Sequence, residues 1–143
     1  MQLAELIETL HRLGHRQWAK ARSQLGVSYS EYEYLKAIRD QEDKKTDKND
    51  HGQHLQDVVS EMGVRKASAS AMVVKLEERG LVKRIPCQFD ARAQHILLTK
   101  AGETLLINGQ GIYNDAAEMM LSKLSDRDRS DLAVLLAKLK QKT

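Results

Sequence analysis

The sequence predicts a mainly α-helical fold interrupted once by a small β-hairpin, and three observations predict it. Apolar residues recur at three-four spacing over most of the 143 residues. The stretch RIPCQFDARAQHILLT, residues 84–99, breaks that pattern with the chain's only Pro, Phe and Cys, then alternates polar with apolar. Just upstream, Gly63 separates two short helical segments. A helix-turn-helix whose second helix runs directly into a hairpin is a winged helix.

Each element has its own signal. Over residues 2–25, Leu3, Leu6, Ile7, Leu10, Leu13, Trp18 and Ala21 form one helical stripe, closed by Gly26. Ser28 and Glu31 have the spacing of a capping box for a second helix, with Tyr32, Leu35 and Ile38 inward, running to about Arg39. DQEDKKTDKNDHG, residues 40–52, has no apolar residue and reads as an exposed loop. Leu55, Val58, Val59 and Met62 mark a short helix ended by Gly63. Ala69, Met72, Val73 and Leu76 mark the next, stopping at Gly80. LVKRI (81–85) and AQHILL (93–98) are the two β-like segments. Thr99 caps a helix reaching about Leu121, in which Gly109 and Gly111 each cost up to about 1 kcal/mol and so predict a kink or break. Ser125 and Asp128 open a last helix striped by Leu132, Leu135, Leu136 and Leu139. All of this reads as one domain, residues 1–143.

Composition narrows the function classes. Hydrophobic residues at 41% and charged residues at 30% suit a folded core rather than a disordered chain. No apolar run approaches the roughly 20 residues a membrane helix needs. The N-terminus carries acids and histidines where a signal peptide would be apolar, which predicts a cytoplasmic protein. One Cys rules out an internal disulfide and suits a reducing compartment. Residues 63–100 hold eight Lys/Arg against three acids, whereas the flanking segments are slightly acidic or neutral, so positive charge is focused where a polyanion would dock.

MGVRKASASAMVVKLEERGLVKRIPCQFDARAQHILLTKAG resembles the core of MarR-type transcriptional regulators. The resemblance rests on the Gly63–Val64 turn, the LEERGLV block at Leu76–Val82, the basic Lys83–Arg84, the D-x-R of Asp90 and Arg92, and the closing LT-x-x-G of Leu98–Gly102. It implies a winged helix-turn-helix lobe at 28–100, including the 40–52 loop, flanked by dimerisation helices at 1–27 and 101–143. It also implies a homodimer that binds double-stranded DNA at a palindromic operator, its half-sites about one helical turn apart. By the same resemblance Arg92 is the minor-groove arginine of the wing and Asp90 its orienting partner. Arg65, Lys66, Ser68, Ser70, Lys75, Lys83 and Arg84 complete the expected DNA surface. The helix itself departs from the family's habit. RKASASA offers small apolar contacts at Ala67, Ala69 and Ala71 and no long donor between Lys66 and Lys75, so phosphate contacts and wing-mediated shape readout should carry more of the specificity.

Relatives commonly respond to small aromatic or phenolic anions. On that basis His11, His15, Arg16, Trp18 and Tyr32 are the expected ligand contacts, a cation beside aromatics. Cys87, after Lys83 and Arg84, reads as an incidental thiol. His51 and His54 sit three apart beside Asp50 but lack a third ligand at a definite spacing, so the sequence predicts neither a metal site nor a cofactor. It contains no phosphate-binding Gly-rich loop, nucleophile elbow or HExxH, and an enzyme is not expected. The expected function is a repressor released by a small effector. The alternatives are an activator or anti-silencer with little ligand response, and a winged helix used as a protein-interaction module.

Overall fold

A computed structural model of the chain describes residues 2–43, 54–88 and 92–140. Six helices and two strands follow in the order α1 (Leu3–Leu25), α2 (Tyr29–Asp43), α3 (Leu55–Met62), α4 (Lys66–Glu78), β1 (Val82–Pro86), β2 (Gln94–Leu98), α5 (Lys100–Leu121) and α6 (Asp126–Lys140). The chain divides into two compact units, Lys20–Gly109 and Met1–Ala19 with Gln110–Thr143. The boundaries fall inside α1 and α5 rather than at the loop positions 27/28 and 100/101 expected from sequence.

The unit of residues 20–109 is the winged helix-turn-helix. Its core is Val27, Tyr32, Leu35 and Ile38 from the α1–α2 region, Val58 from α3, Ala69, Val73 and Leu76 from α4, and Leu81, Val82, Ile96 and Leu98 around the hairpin. Helix α2 starts where the sequence places it. The Glu31 backbone N–H donates to Ser28 Oγ and the Ser28 N–H donates to Glu31 Oε1, both at 3.1 Å, a reciprocated capping box. The helix then continues four residues past Arg39 into the segment expected to be loop; residues 44–52 of that segment lie outside the described residues. Tertiary partners explain the extension. Glu42 Oε1 accepts the Leu98 backbone N–H at 3.1 Å, and Arg39 lies 3.3 Å from Glu42 and 2.7 Å from Glu103.

Between α3 and α4, Gly63 adopts φ +63° and its N–H donates to the Val59 carbonyl at 2.9 Å, a left-handed cap that makes the turn tight. The end of α4 is fixed by a buried ion pair. The Arg79 guanidinium donates to Glu31 and to the Gly26 carbonyl at once, and the Glu31 side chain is only 6% exposed. Burial alone would push the Glu31 carboxyl up, but the Ser28 N–H and the Arg79 guanidinium outweigh it and hold it below its ordinary value.

The hairpin is antiparallel with Val82 opposite Leu98, Arg84 opposite Ile96 and Pro86 opposite Gln94. Pro86 ends β1 on a sheet edge, where its missing N–H costs no ladder bond. At the foot of the hairpin the Thr99 N–H donates to the Leu81 carbonyl at 3.0 Å. Its hydroxyl donates to the Gly80 carbonyl at 2.6 Å and accepts the Gly102 N–H at 3.1 Å. Gly102 lies so close to this turn that a Cβ there would sit 2.1 Å from the Leu81 oxygen.

Helix α5 runs unbroken through Gly109 and Gly111, so the expected break does not occur. Glycine costs of about 1 kcal/mol each weaken a helix without by themselves breaking it. In the second unit Trp18 is buried beside Tyr113, with ring centroids 6.1 Å apart. The Arg129 side chain donates to the Leu121 carbonyl at 3.0 Å across the α5–α6 turn. Helix α6 has no buried residue. Leu3, Ile7 and Leu10 of α1, Met119 of α5 and Val134, Leu135, Leu136 and Leu139 of α6 are all exposed.

Two stability predictions follow from these contacts. Gly102→Ala should lower unfolding free energy by about 1–3 kcal/mol in urea titration, because backbone must move to admit the methyl group. The Glu31 stabilisation is complete above its unfolded pKa near 4.5 and is lost as pH falls through the lower folded value. Wild type should therefore lose more stability than Glu31→Gln between pH 6 and pH 3, while Arg79→Ala should cost about 1.5–3 kcal/mol at neutral pH.

Candidate nucleic-acid interface

Helix α4 buries Ala69, Val73 and Leu76, which turns the opposite face of the helix to solvent. The centre of that face is Ala67, Ala71 and Val74, the last 41% exposed. Lys75 and Ser68 flank it on one side, with Lys66 and the half-buried Ser70 on the other. Arg65 occupies the N-cap position with extended backbone and is also exposed. The outward face of α4 is therefore apolar along its midline and polar at its margins.

The hairpin adds the second half of the surface. Lys83 is exposed, and Arg84 is half-buried with its Nε 3.6 Å from Glu77 of α4. Arg92 is exposed in the turn before β2; its expected partner Asp90 lies outside the described residues. Lys66, Arg84 and Arg92 line one open groove of about 480 Å³ together with His54, Leu55, Gln56, Ala93, Gln94 and Ile96. The fold thus gathers cations from α4, β1 and the wing turn on one groove, although 26 residues separate Lys66 from Arg92 in the chain.

The expected ligand contacts do not share one environment. His11, His15 and Arg16 are exposed on α1, and the two imidazoles meet edge to face with centroids 4.6 Å apart. Trp18 is 3% exposed in the interior of the same unit. Tyr32 belongs to the winged unit and is 1% exposed. Its burial, with Glu33 and Asp40 nearby, pushes its hydroxyl up to about pKa 12.

One constellation was missed from the sequence. His54, at the N-cap of α3, Cys87, just past β1, and His95 of β2 bring a ring nitrogen or the thiol sulfur each within 4.8 Å of one another. The hairpin part was within reach of sequence reasoning. With Ile85 opposite His95, Cys87 is the diagonal neighbour of His95 on the same face. His54 carries no such signal, since it reaches the hairpin only through the packing of α3.

Known proteins agree with this architecture. Residues 25–93 match the sequence profile of the MarR family. The structure superposes on wild-type apo MarR from E. coli with TM-score 0.72 at 20% identity, covering 98% of each chain. It is also similar to S. aureus MepR in a DNA complex, with TM-score 0.67 at 16% identity over 97% of this chain and 96% of that one. A mutant E. coli MarR complexed with operator DNA gives TM-score 0.65 at 19% identity over 96% and 93%. With the turn, the alanine-faced helix, the basic hairpin and the closing Thr99–Gly102 foot all in place, residues 25–93 carry the sequence pattern of the MarR family and the chain has the winged helix-turn-helix fold seen in MarR and MepR.

Proposed function

We propose that this DNA-binding regulator is a dimeric repressor that sits on a palindromic operator and leaves it when a small aromatic or phenolic anion binds. The observation that carries the DNA half of this reading is the groove that collects Lys66, Arg84 and Arg92 beside the exposed face of α4. Helix α4 would enter the major groove, with Ala67, Ala71 and Val74 meeting thymine methyls, while the hairpin would carry Arg92 toward an adjacent narrow minor groove. Arg65, Lys66, Lys75 and Lys83 would neutralise phosphates and fix the register, and Ser68 and Ser70 would add hydrogen bonds at the margins. Such a surface reads sequence chiefly through DNA shape. MepR and MarR, similar in fold, have been crystallised with DNA, which supports the same mode here.

The dimer is supported by the apolar faces of α1 and α6, whose leucines stand more than half exposed at Leu3, Leu135, Leu136 and Leu139. A two-fold pair would cover them and place two reading heads one helical turn of DNA apart. The effector would find its cationic contact at Arg16, with His11 and His15 exposed beside it on α1. Trp18 and Tyr32 would act through packing, since neither has surface to offer. The apolar midline of α4 favours one other reading, a protein-interaction module in which Ala67, Ala71 and Val74 meet a partner helix.

Fluorescence anisotropy on duplex from the chain's own upstream region, at several salt concentrations, separates the two. Binding should prefer that sequence over a scrambled one. Lys75→Ala should reduce the slope of log affinity on log salt by roughly one. Arg92→Ala should cost about 1–3 kcal/mol and relax preference at A·T positions flanking the half-sites. No measurable affinity for any duplex would leave the interaction module standing. For the dimer, Leu135→Glu with Leu139→Glu should halve the mass measured by sedimentation while leaving the helical circular dichroism intact.

A further inference from the structure

We propose that His54, Cys87 and His95 form a binding site for a zinc-class divalent cation, and that the ion clamps the wing to the first helix of the helix-turn-helix. Three ligand-bearing side chains from three separate elements converge within 4.8 Å of one another. The imidazoles of His54 and His95 lie against each other with centroids 4.6 Å apart, tilted by 44°. Cys87 and His95 are 5% and 8% exposed, so two of the three donors are already withdrawn from water. Loaded tetrahedral zinc, with bonds of about 2.0–2.3 Å, sets donors about 3.3–3.8 Å apart, so side-chain rotation of about 1 Å would close the set.

The chemistry of the donors chooses the metal class. One thiolate and two imidazoles suit Zn(II), Co(II) or copper and disfavour Mg(II) and Ca(II), which take oxygen ligands. Binding would convert the Cys87 thiol to a thiolate, its proton leaving to solvent as the sulfur–metal bond forms. That one negative charge reduces the ion's charge from two to one in a largely buried place. On the other side of the ring, Asp57 Oδ2 lies 3.9 Å from His54 Nδ1 and accepts the His54 backbone N–H at 3.0 Å. This leaves Nε2, which is sealed from solvent, as the nitrogen for the ion. Protein supplies three ligands, and water or a small anion would take the fourth position.

The position of the site gives it a consequence. His54 begins α3, Cys87 follows the last residue of β1, and His95 is in β2. His54 also lines the groove that holds Lys66, Arg84 and Arg92. An ion there would tie the turn end of the hairpin to the helix-turn-helix and fix the spacing between Arg92 and α4. Resting on the reading of the protein as a DNA-binding regulator, this makes operator affinity depend on the metal. A clamp of this kind acts within one protomer.

The test is a titration of chelator-treated full-length protein with Co(II), followed by Zn(II). We expect one Co(II) per chain with a sulfur-to-cobalt charge-transfer band, displaced by Zn(II) and unaffected by excess Mg(II). Cys87→Ser should abolish the band, and His54→Gln and His95→Gln should each weaken binding at least about tenfold. Zn(II) should also protect Cys87 of the wild type from alkylation, a readout that needs no folded variant. Absence of the charge-transfer band, or affinity unchanged by both histidine substitutions, overturns the site. Anisotropy with duplex, with and without Zn(II), reads the clamp: a shift of about threefold or more in wild type that His54→Gln lacks supports it. Metal binding with unchanged DNA affinity keeps the site and overturns the coupling, whereas metal binding with no DNA affinity at all overturns the regulator reading and leaves the site intact.

Discussion

The buried ion pair between Glu31 and Arg79 is the constraint on which the placement of α4 and the hairpin depends. Glu31 opens α2 and Arg79 closes α4, so the pair fixes the C-terminal end of α4 against the start of α2. A carboxylate with a side chain only 6% exposed needs a full complement of donors, and it has them in the Ser28 N–H and the guanidinium. The planar fork of the arginine serves two acceptors with separate nitrogens, the Glu31 carboxylate and the Gly26 carbonyl.

From that anchor the chain has little freedom before the wing begins. The Leu81 N–H donates to the Leu76 carbonyl at 2.9 Å, and the Leu81 carbonyl then accepts the Thr99 N–H at 3.0 Å. One residue therefore joins the end of α4, the base of the hairpin and the start of α5. Gly102 lets α5 approach this junction, where any side chain would strike the Leu81 oxygen. The hairpin thus leaves the lobe in a set direction, and cations from three elements come to line one groove. Glu42, reaching from the last turn of α2 to the Leu98 N–H, ties the outer strand to the same frame.

This rigidity bears on how such a surface can discriminate. On the proposed DNA-binding reading, a helix with Ala67, Ala71 and Val74 along its midline has few donors for base edges, so the placement of Arg84 and Arg92 relative to α4 would matter more than the helix alone. Sequence-dependent groove width is read by such spacing. The cluster of His54, Cys87 and His95 lies at the turn end of the same hairpin, next to the segment that carries Arg92.

The sequence by itself determined the local elements. The stripe of Leu3, Ile7 and Leu10, the Ser28–Glu31 box, the Gly63 turn and the Thr99 cap each rest on interactions a few residues apart and are present as read, and the segment around residues 93–98 is a strand, although its burial does not alternate. The sequence also showed that residues 63–100 concentrate positive charge and that Arg92 sits at the wing. Only the tertiary structure decided where distance along the chain is irrelevant. Helix α2 continues to Asp43 because the partners of Arg39 and Glu42 lie in α5 and β2. Helix α5 runs unbroken through Gly109 and Gly111, a continuity that local propensity did not indicate. Gly102 is obligatory because of a carbonyl twenty-one residues earlier in the chain. His54 meets Cys87 and His95 because α3 packs beside the hairpin, a proximity no periodicity encodes.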